Sequence, residues 1–248
     1  MQRRAGVRVK SYDTDAAAEA IRPVVGPDTI VLSLPERHRE RGPPGQHPGA
    51  SAAAAGMTHI GAELIEPGVV RRDSGGRIFF GELDGAATPR VARLEALFTR
   101  AEIDHRASRR IAVMLWDKLT WNAAFNAVTA VTRRTVGELL STDDGRELVR
   151  GAMLEVVAVA QADGVPLDPA RVDQELRHSA AELGSLKTSM LQDRERGRRL
   201  EYDALNGAVL RAGARLGVPT PINRVLHDLL AVIDARATPP GPAGSPSA

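Results

Sequence analysis

Apolar and polar positions along this chain follow one rhythm up to about residue 108 and another after it. In RVKSYDTDAAAEAIRPVVGPDTIVLSL, Asp13 or Thr14 can cap a helix supplied by residues 15 to 21 and closed between Pro23 and Pro27. TIVLSL then reads as a fully buried strand, continuous and β-branched as parallel strands tend to be. GMTHIGAELIEPGVVRRDSGGRIFFGEL predicts two or three strands, with turn signals at Pro67-Gly68 and Ser74-Gly75-Gly76. TPRVARLEALFTRA predicts an amphipathic helix opened by Thr88 and Pro89, and IDHRAS one more short strand. From Arg110 onward the period is helical: 111 to 132, 135 to 163 with a break near Asp143-Gly145, 168 to 183, 188 to 196, 199 to 216 and 221 to 235. Pro169, Pro219 and Pro221 stand where helices start or stop. The pattern therefore predicts an α/β part over residues 1–108 and an all-helical part over 109–236. A Pro/Gly/Ser/Ala tail, 237–248, is expected to be disordered. Residues 35–56 fit neither rhythm and read as a surface loop.

One helix breaks its own pattern. WDKLTWNAAFNAVTAVT is apolar enough for a core, yet carries Lys118, Asn122 and Asn126 at four-residue intervals. Four residues is slightly more than one helical turn, so these side chains form one narrow polar stripe. Val113, Leu115, Trp116, Leu119, Ala123, Phe125 and Val128 are expected to pack around it. An amide or ammonium buried without partners costs several kcal/mol. The stripe must face water or something polar that the protein holds.

A second polar cluster lies in residues 185 to 223. Ser189 reads as an N-cap with Gln192 as its capping-box partner. Glu201 and Asn206 stand in a helix whose apolar side is Leu200, Ala204, Leu205, Val209 and Leu210. Asn206-Gly207 inside a helix costs propensity twice, which marks close packing or a site. Each residue also has a plainer reading. Lys118 can lie along an apolar surface with its head in water, Asn122 and Asn126 can bond neighbouring helices, and Glu201 can join a charge mesh with Arg196, Arg198 and Arg199.

Composition narrows the classes. The chain has 248 residues, and 33 Lys plus Arg balance 31 Asp plus Glu at a net charge of +2, which gives no push toward nucleic acid. With no cysteine, disulfides and thiolate metal sites are excluded, and a reducing cytoplasm fits. No apolar run approaches the roughly 18 residues of a membrane span, and MQRRAGVRVK lacks the apolar core of a signal peptide. The six histidines show no ligand spacing, so no metal is expected.

Taken together, KLTWNAAFNAVTA, VGEL, TSMLQDRERGRRLEYDALNG and GVPTPIN resemble, in order and spacing, the ketopantoate reductase family. VKSYDTDAAAEAIRPVVGPDTIVLSL and GMTHIGAELIEPGVV resemble that family's later Rossmann strands, so the likeness covers nearly the whole chain outside 35–56 and the tail. The resemblance implies a partial Rossmann-like parallel-sheet domain followed by a helical domain of the 6-phosphogluconate-dehydrogenase-like type. It implies NADPH-dependent reduction of 2-dehydropantoate, or a similar 2-keto acid, in pantothenate and coenzyme A biosynthesis in the cytoplasm. Lys118 matches the family's proton donor, and Asn122, Asn126 and Ser189 its substrate-binding residues. Lys10, Ala62 and Glu201 match positions on the cofactor side, Ala62 through its backbone. A small 2-keto acid is the expected partner, without nucleic acid or membrane, and a homodimer through the helical domain is left open.

Three departures from the family pattern shape the expectation. The G-x-G-x-x-G turn of the first Rossmann strand has no counterpart, which suggests an N-terminally truncated member. Val136 stands where many members carry asparagine. After LSL the family continues L-Q-N-G, and here Pro35-Glu36-Arg37-His38 follows. One synonymous coding of PERHRERGPPGQHPG, regrouped by a single base inserted after the Leu34 codon, reads QNGIGNEDRLASIL. A frameshift, compensated before Met57, is compatible with that tract. The alternative function is accordingly a truncated or frameshifted, non-catalytic remnant whose helical domain serves only folding or dimerisation.

Overall fold

The runs with alternating or continuous β-branched residues become strands, and those with helical period become helices. The computed structural model describes residues 10–26, 29–34 and 53–237. The first nine residues, most of the tract 35–56 with its frameshift reading, and the tail from 238 lie outside the described residues, while the end of that tract, Ala53 to Gly56, is strand and not the loop its composition suggests. The chain divides into two compact units, Met1–Trp116 and Asp117–Ala248.

In the first unit a 3-10 turn, Ser11–Asp13, leads into α1 (Thr14–Ile21), and a second 3-10 turn, Arg22–Val24, closes it at Pro23. Four strands follow: β1 (Val31–Ser33), β2 (Ala53–Glu66), β3 (Val69–Gly81) and β4 (His105–Ala107). They lie side by side in the order β1-β2-β3-β4. Val31 to Ser33 run parallel to Ala53 to Ala55, and Ile78 to Phe80 parallel to His105 to Ala107; between them β2 and β3 form an antiparallel hairpin. TIVLSL is not the fully buried strand that its pattern suggests. Only Val31–Ser33 pair, and each of these residues is half-buried, because β1 is an edge strand among the described residues and is paired along one side alone.

Ser74-Gly75-Gly76 is likewise no turn. It lies inside β3, where Gly75 and Gly76 take φ of 69° and 112° and the register shifts between Thr58↔Ile78 and Ile60↔Gly75. Left-handed backbone at two adjacent glycines can build a bulge as readily as a reversal, and a paired strand on each side selects the bulge. The reversal sits at Pro67-Gly68 alone, with Gly68 at φ 86°.

α2 (Pro89–Arg100) starts at Thr88, whose hydroxyl accepts from the Val91 amide at 3.4 Å. Its apolar side, Val91, Leu94 and Phe98, packs on Phe80, Ala54, Leu32 and Ile78 of the sheet, and Phe80 meets Phe98 edge to face at 5.3 Å. The carboxylate of Glu82, just past β3, accepts from Thr88 Oγ1 and Arg90 Nη2 at 2.5 Å and from Arg90 Nε at 2.6 Å. These bonds hold the Glu82 carboxyl below its ordinary pKa against the opposing effect of burial, the Arg90 hydrogen bond contributing most.

α3 (Ile111–Thr132) carries the chain into the second unit. There follow α4 (Val136–Leu140), α5 (Asp143–Ala162), α6 (Ala170–Glu182), α7 (Ser189–Glu195), a π-helical turn (Asp203–Gly207), α8 (Ala208–Leu216) and α9 (Pro221–Ala237). The break expected near Asp143 falls at Ser141-Thr142, where Thr142 caps α5 through the Gly145 amide at 3.1 Å. α5 is the hub: Val149, Ala152, Met153, Val156, Val157, Val159 and Ala160 are buried, and it packs against α4, α6, α8 and α9. The fold is thus an α/β unit followed by an all-helical unit. No helix among the described residues is long and apolar enough to cross a membrane.

Candidate active site

The polar stripe runs along one face of α3 and is buried at Asn122 and Asn126 and half-buried at Lys118. Trp116, Leu119, Ala123, Phe125 and Val128 are buried, as the pattern requires, while Val113 and Leu115 are half-buried. Asn122 is 8% exposed and Asn126 3%, and neither side-chain amide makes a hydrogen bond among the described residues. Neither amide is among the fully enclosed, unbonded polar atoms, so both still reach the surface of the unit and are open to a ligand or to water. The plainer reading, in which they bond neighbouring helices, does not hold. Lys118, one turn before Asn122, is half-buried.

The stripe has a further member that the sequence reading passed over. At about 100° per residue, Thr129 falls inside the ~80° arc spanned by 118, 122 and 126. Its hydroxyl lies 2.7 Å from the Phe125 carbonyl and 2.7 Å from Thr188 Oγ1. The signal was available as a threonine three residues after Asn126, but a lone threonine in an apolar helix is ordinary core.

Ser189 is not the N-cap. Thr188 is, accepting from the Leu191 amide at 3.3 Å, and Ser189 becomes the exposed first residue of α7. The expected box does not form, since Gln192 donates to the Lys187 carbonyl at 2.9 Å. Both hydroxyls suit a cap, and the contact with Thr129 selects Thr188. The true capping box of this region is Thr135 with Glu138, at the start of α4. In the same VGEL motif the Val136 and Gly137 amides donate to the Leu186 and Gly184 carbonyls at 3.2 and 2.8 Å. A Cβ on Gly137 would stand 2.7 Å from the Gly184 carbonyl oxygen, so only glycine permits this approach. The Val136 side chain is fully buried and belongs to the core. At the other end of α7, Arg194 donates to the Ala130 and Val131 carbonyls at the C-terminus of α3. Burial, and then the nearby Arg133 charge, push the Arg194 pKa below its usual value.

Glu201 is half-buried just before the π-helical turn, its carbonyl accepting from Ala204 and Leu205 amides at 3.1 and 3.2 Å. Asn206, which broke helix propensity, is fully buried within that turn. Its Nδ2 donates to the Ala123 carbonyl of α3 at 2.8 Å and to Asn223 Oδ1 at 3.0 Å. Asn223 in turn donates to the Ala152 carbonyl at 3.1 Å and to Glu155 at 2.8 Å, while Glu155 accepts from the Ile222 and Asn223 amides at 2.8 and 2.9 Å. A carboxylate there suits the positive end of α9. The violation at Asn206 is thus a packing device linking α3, α5 and α9.

Lys10 and Ala62 belong to the first unit. Lys10 is half-buried and its carbonyl starts the first 3-10 turn by accepting from the Asp13 amide at 2.9 Å. Ala62 lies in β2 opposite Arg72. Pairing with β1 ends at Ala55, so at Ala62 one edge of β2 has no strand partner among the described residues. That is the backbone condition a main-chain ligand contact needs. Among the described residues no three His, Asp or Glu side chains converge on a metal position.

Comparison with known proteins identifies the family and the fold. The sequence model of "Ketopantoate reductase PanE/ApbA C terminal" matches residues 110–234, and that of "Ketopantoate reductase PanE/ApbA" matches residues 7–85. The 2-dehydropantoate 2-reductase of Halobacterium salinarum is 34% identical over 225 residues, covering 90% of this chain and 73% of that one. The crystal structure of a PanE/ApbA family ketopantoate reductase from Ralstonia eutropha JMP134 superposes with a TM-score of 0.78 at 33% identity, over 92% of this chain and 74% of that one. D-mandelate dehydrogenase in complex with NADH shares the fold alone, with a TM-score of 0.82 at 22% identity over 93% of this chain and 78% of that one. With both of its units matched and a relative a third identical along nearly all of its length, the chain belongs to the ketopantoate reductase family of oxidoreductases.

Proposed function

We propose that this chain reduces 2-dehydropantoate, or a closely similar 2-keto acid, to the corresponding 2-hydroxy acid with NADPH, serving pantothenate and coenzyme A biosynthesis in the cytoplasm. The observation that carries the reading is the pair of buried, unpartnered amides of Asn122 and Asn126 on the face that Lys118 opens. Largely buried amides without protein partners are suited to a ligand that brings its own oxygens, and 2-dehydropantoate brings a carboxylate, a carbonyl and a hydroxyl.

NADPH, when bound, supplies the hydride. Lys10, the backbone at Ala62, and Glu201 are the residues of this chain proposed to hold it; an open strand edge and a half-buried cation suit such a ligand. Lys118 gives a proton to the oxygen of the carbonyl being reduced, and its ammonium stabilises the negative charge that builds there. Asn122 and Asn126 donate their N–H groups to substrate oxygens and so orient the carbonyl. Ser189, exposed at the start of α7, adds a hydroxyl.

The test is NADPH oxidation by the purified chain with 2-dehydropantoate, beside a Lys118→Met variant and an NADPH binding isotherm. Turnover that falls about 10²- to 10⁴-fold in Lys118→Met supports the reading, since that is the usual worth of a placed proton donor. A wild-type chain that neither binds NADPH nor oxidises it would leave the non-catalytic remnant as the better account.

A further inference from the structure

The hydroxyls of Thr129 and Thr188 meet at 2.7 Å, and both residues are almost wholly enclosed, at 0% and 2% exposed. Counting protons gives the contact a direction. Each hydroxyl has one proton to donate. Thr188 Oγ1 already accepts from the Leu191 amide, and Thr129 has the Phe125 carbonyl at 2.7 Å and the Asn126 carbonyl at 3.3 Å as acceptors on its own helix. If Thr129 donated to Thr188, the proton of Thr188 would be left without an acceptor. Every group is satisfied only if Thr188 donates to Thr129 and Thr129 donates back to α3. The cap of α7 and the backbone of α3 are then joined by one directed chain of hydrogen bonds.

This chain lies at a particular place. Thr129 shares the stripe of Lys118, Asn122 and Asn126, and Thr188 is the residue before Ser189. The other end of α7 is held separately, by Arg194 on the Ala130 and Val131 carbonyls. The segment entering α7 is tied to α4 through the Gly184 and Leu186 carbonyls, and the threonine contact ties the first turn of α7 to the stripe itself. We propose that Thr129 and Thr188 are positioning residues that hold the start of α7, with Ser189, in register with the amides of Asn122 and Asn126, so that one keto acid can reach all three. The inference rests on the reading of those three residues as substrate ligands.

Thr129→Val separates the contact from the cap. Valine keeps the branched shape and removes the hydroxyl, while Thr188 can still accept from Leu191. Thr129→Ser keeps the hydroxyl, and Thr129→Ala provides the deletion with less volume should the valine variant fail to fold. Two readouts are taken on the full chain. Hydrogen exchange over residues 186–196 should rise several-fold in Thr129→Val, stay at the wild-type rate in Thr129→Ser, and remain unchanged in α5 and α9. The KM for 2-dehydropantoate should rise about five- to tenfold in Thr129→Val, the worth of roughly one hydrogen bond, with kcat within about twofold and recovery in Thr129→Ser. Unchanged exchange in Thr129→Val overturns the proposal. Raised exchange with an unchanged KM also overturns it, because the contact would then serve structure alone. If the wild-type chain turns over no keto acid, the reductase reading falls by itself, and the exchange measurement still decides whether the hydroxyl pair holds the start of α7.

Discussion

Asn126 is 3% exposed and its amide has nothing to bond, which makes it a residue that a purely structural helix would discard. Leucine branches at the same atom and would remove an amide that makes no bond within the fold. Asn126→Leu should therefore leave stability unchanged or raise it by about 1 kcal/mol, while catalytic efficiency toward the keto acid falls by at least tenfold. Thermal unfolding and steady-state kinetics on the same preparation check both halves. A destabilised variant with normal kinetics would show that the amide serves the fold. The spacing of Lys118, Asn122 and Asn126 was legible in the sequence because helical geometry alone puts them on one face. That the two amides are largely buried yet unpaired was not, since this depends on which helices pack beside them. Ser189 shows the same limit. Its sequence context suits a cap as well as that of Thr188 does, and only the hydroxyl of Thr129, 59 positions away from Thr188, decides between them.

The elements followed their periodicity wherever one face had to be buried, and departed from it where partners mattered. α2 begins at Thr88-Pro89 as its cap and proline require. The glycine-rich stretch in β3 became a bulge because strands pair on both sides of it. The join between β3 and α2 is electrostatic, with Glu82 6% exposed beneath Thr88 and Arg90. Its carboxyl is held below the ordinary glutamate range, so the stability it contributes is fully present above that ordinary value and is lost as the pH falls through the lowered one. Glu82→Gln should cost about 2 to 3 kcal/mol at pH 7 and make stability less dependent on pH in the acid range. Denaturant unfolding at pH 7 and again near pH 3 measures this; equal penalties at both would contradict it. The π-helical turn at Asp203–Gly207 had a visible symptom, an Asn-Gly pair in a helix, but its cause lies in the carbonyl of Ala123 and the side chain of Asn223, far along the chain.

At the scale of the whole molecule, two units with very different interiors share one chain. The helical unit buries many apolar side chains on α3, α5 and α8, with residues such as Phe125, Val149, Val156, Val159 and Val209 fully buried. In the first unit the sheet and α2 share a smaller cluster around Phe80, Ala54 and Leu94, and β1 is short and, among the described residues, paired on one side. Native-state hydrogen exchange should accordingly find amides of α5 and α8 slowest and those of β1 orders of magnitude faster. Protection of β1 equal to that of α5 would refute this difference. The order of elements, the change from an α/β part to a helical part, the polar stripe and the family resemblance were all determined by the sequence itself, because period, capping residues and motif spacing are local. The tertiary structure decided the edge position of β1, the bulge in β3, the cap at Thr188, the network from Asn206 to Glu155, and the contact of Thr129 with Thr188. Each of these depends on a partner from a distant part of the chain, and whether a polar group is satisfied or left waiting for a ligand is settled only when that partner is, or is not, beside it.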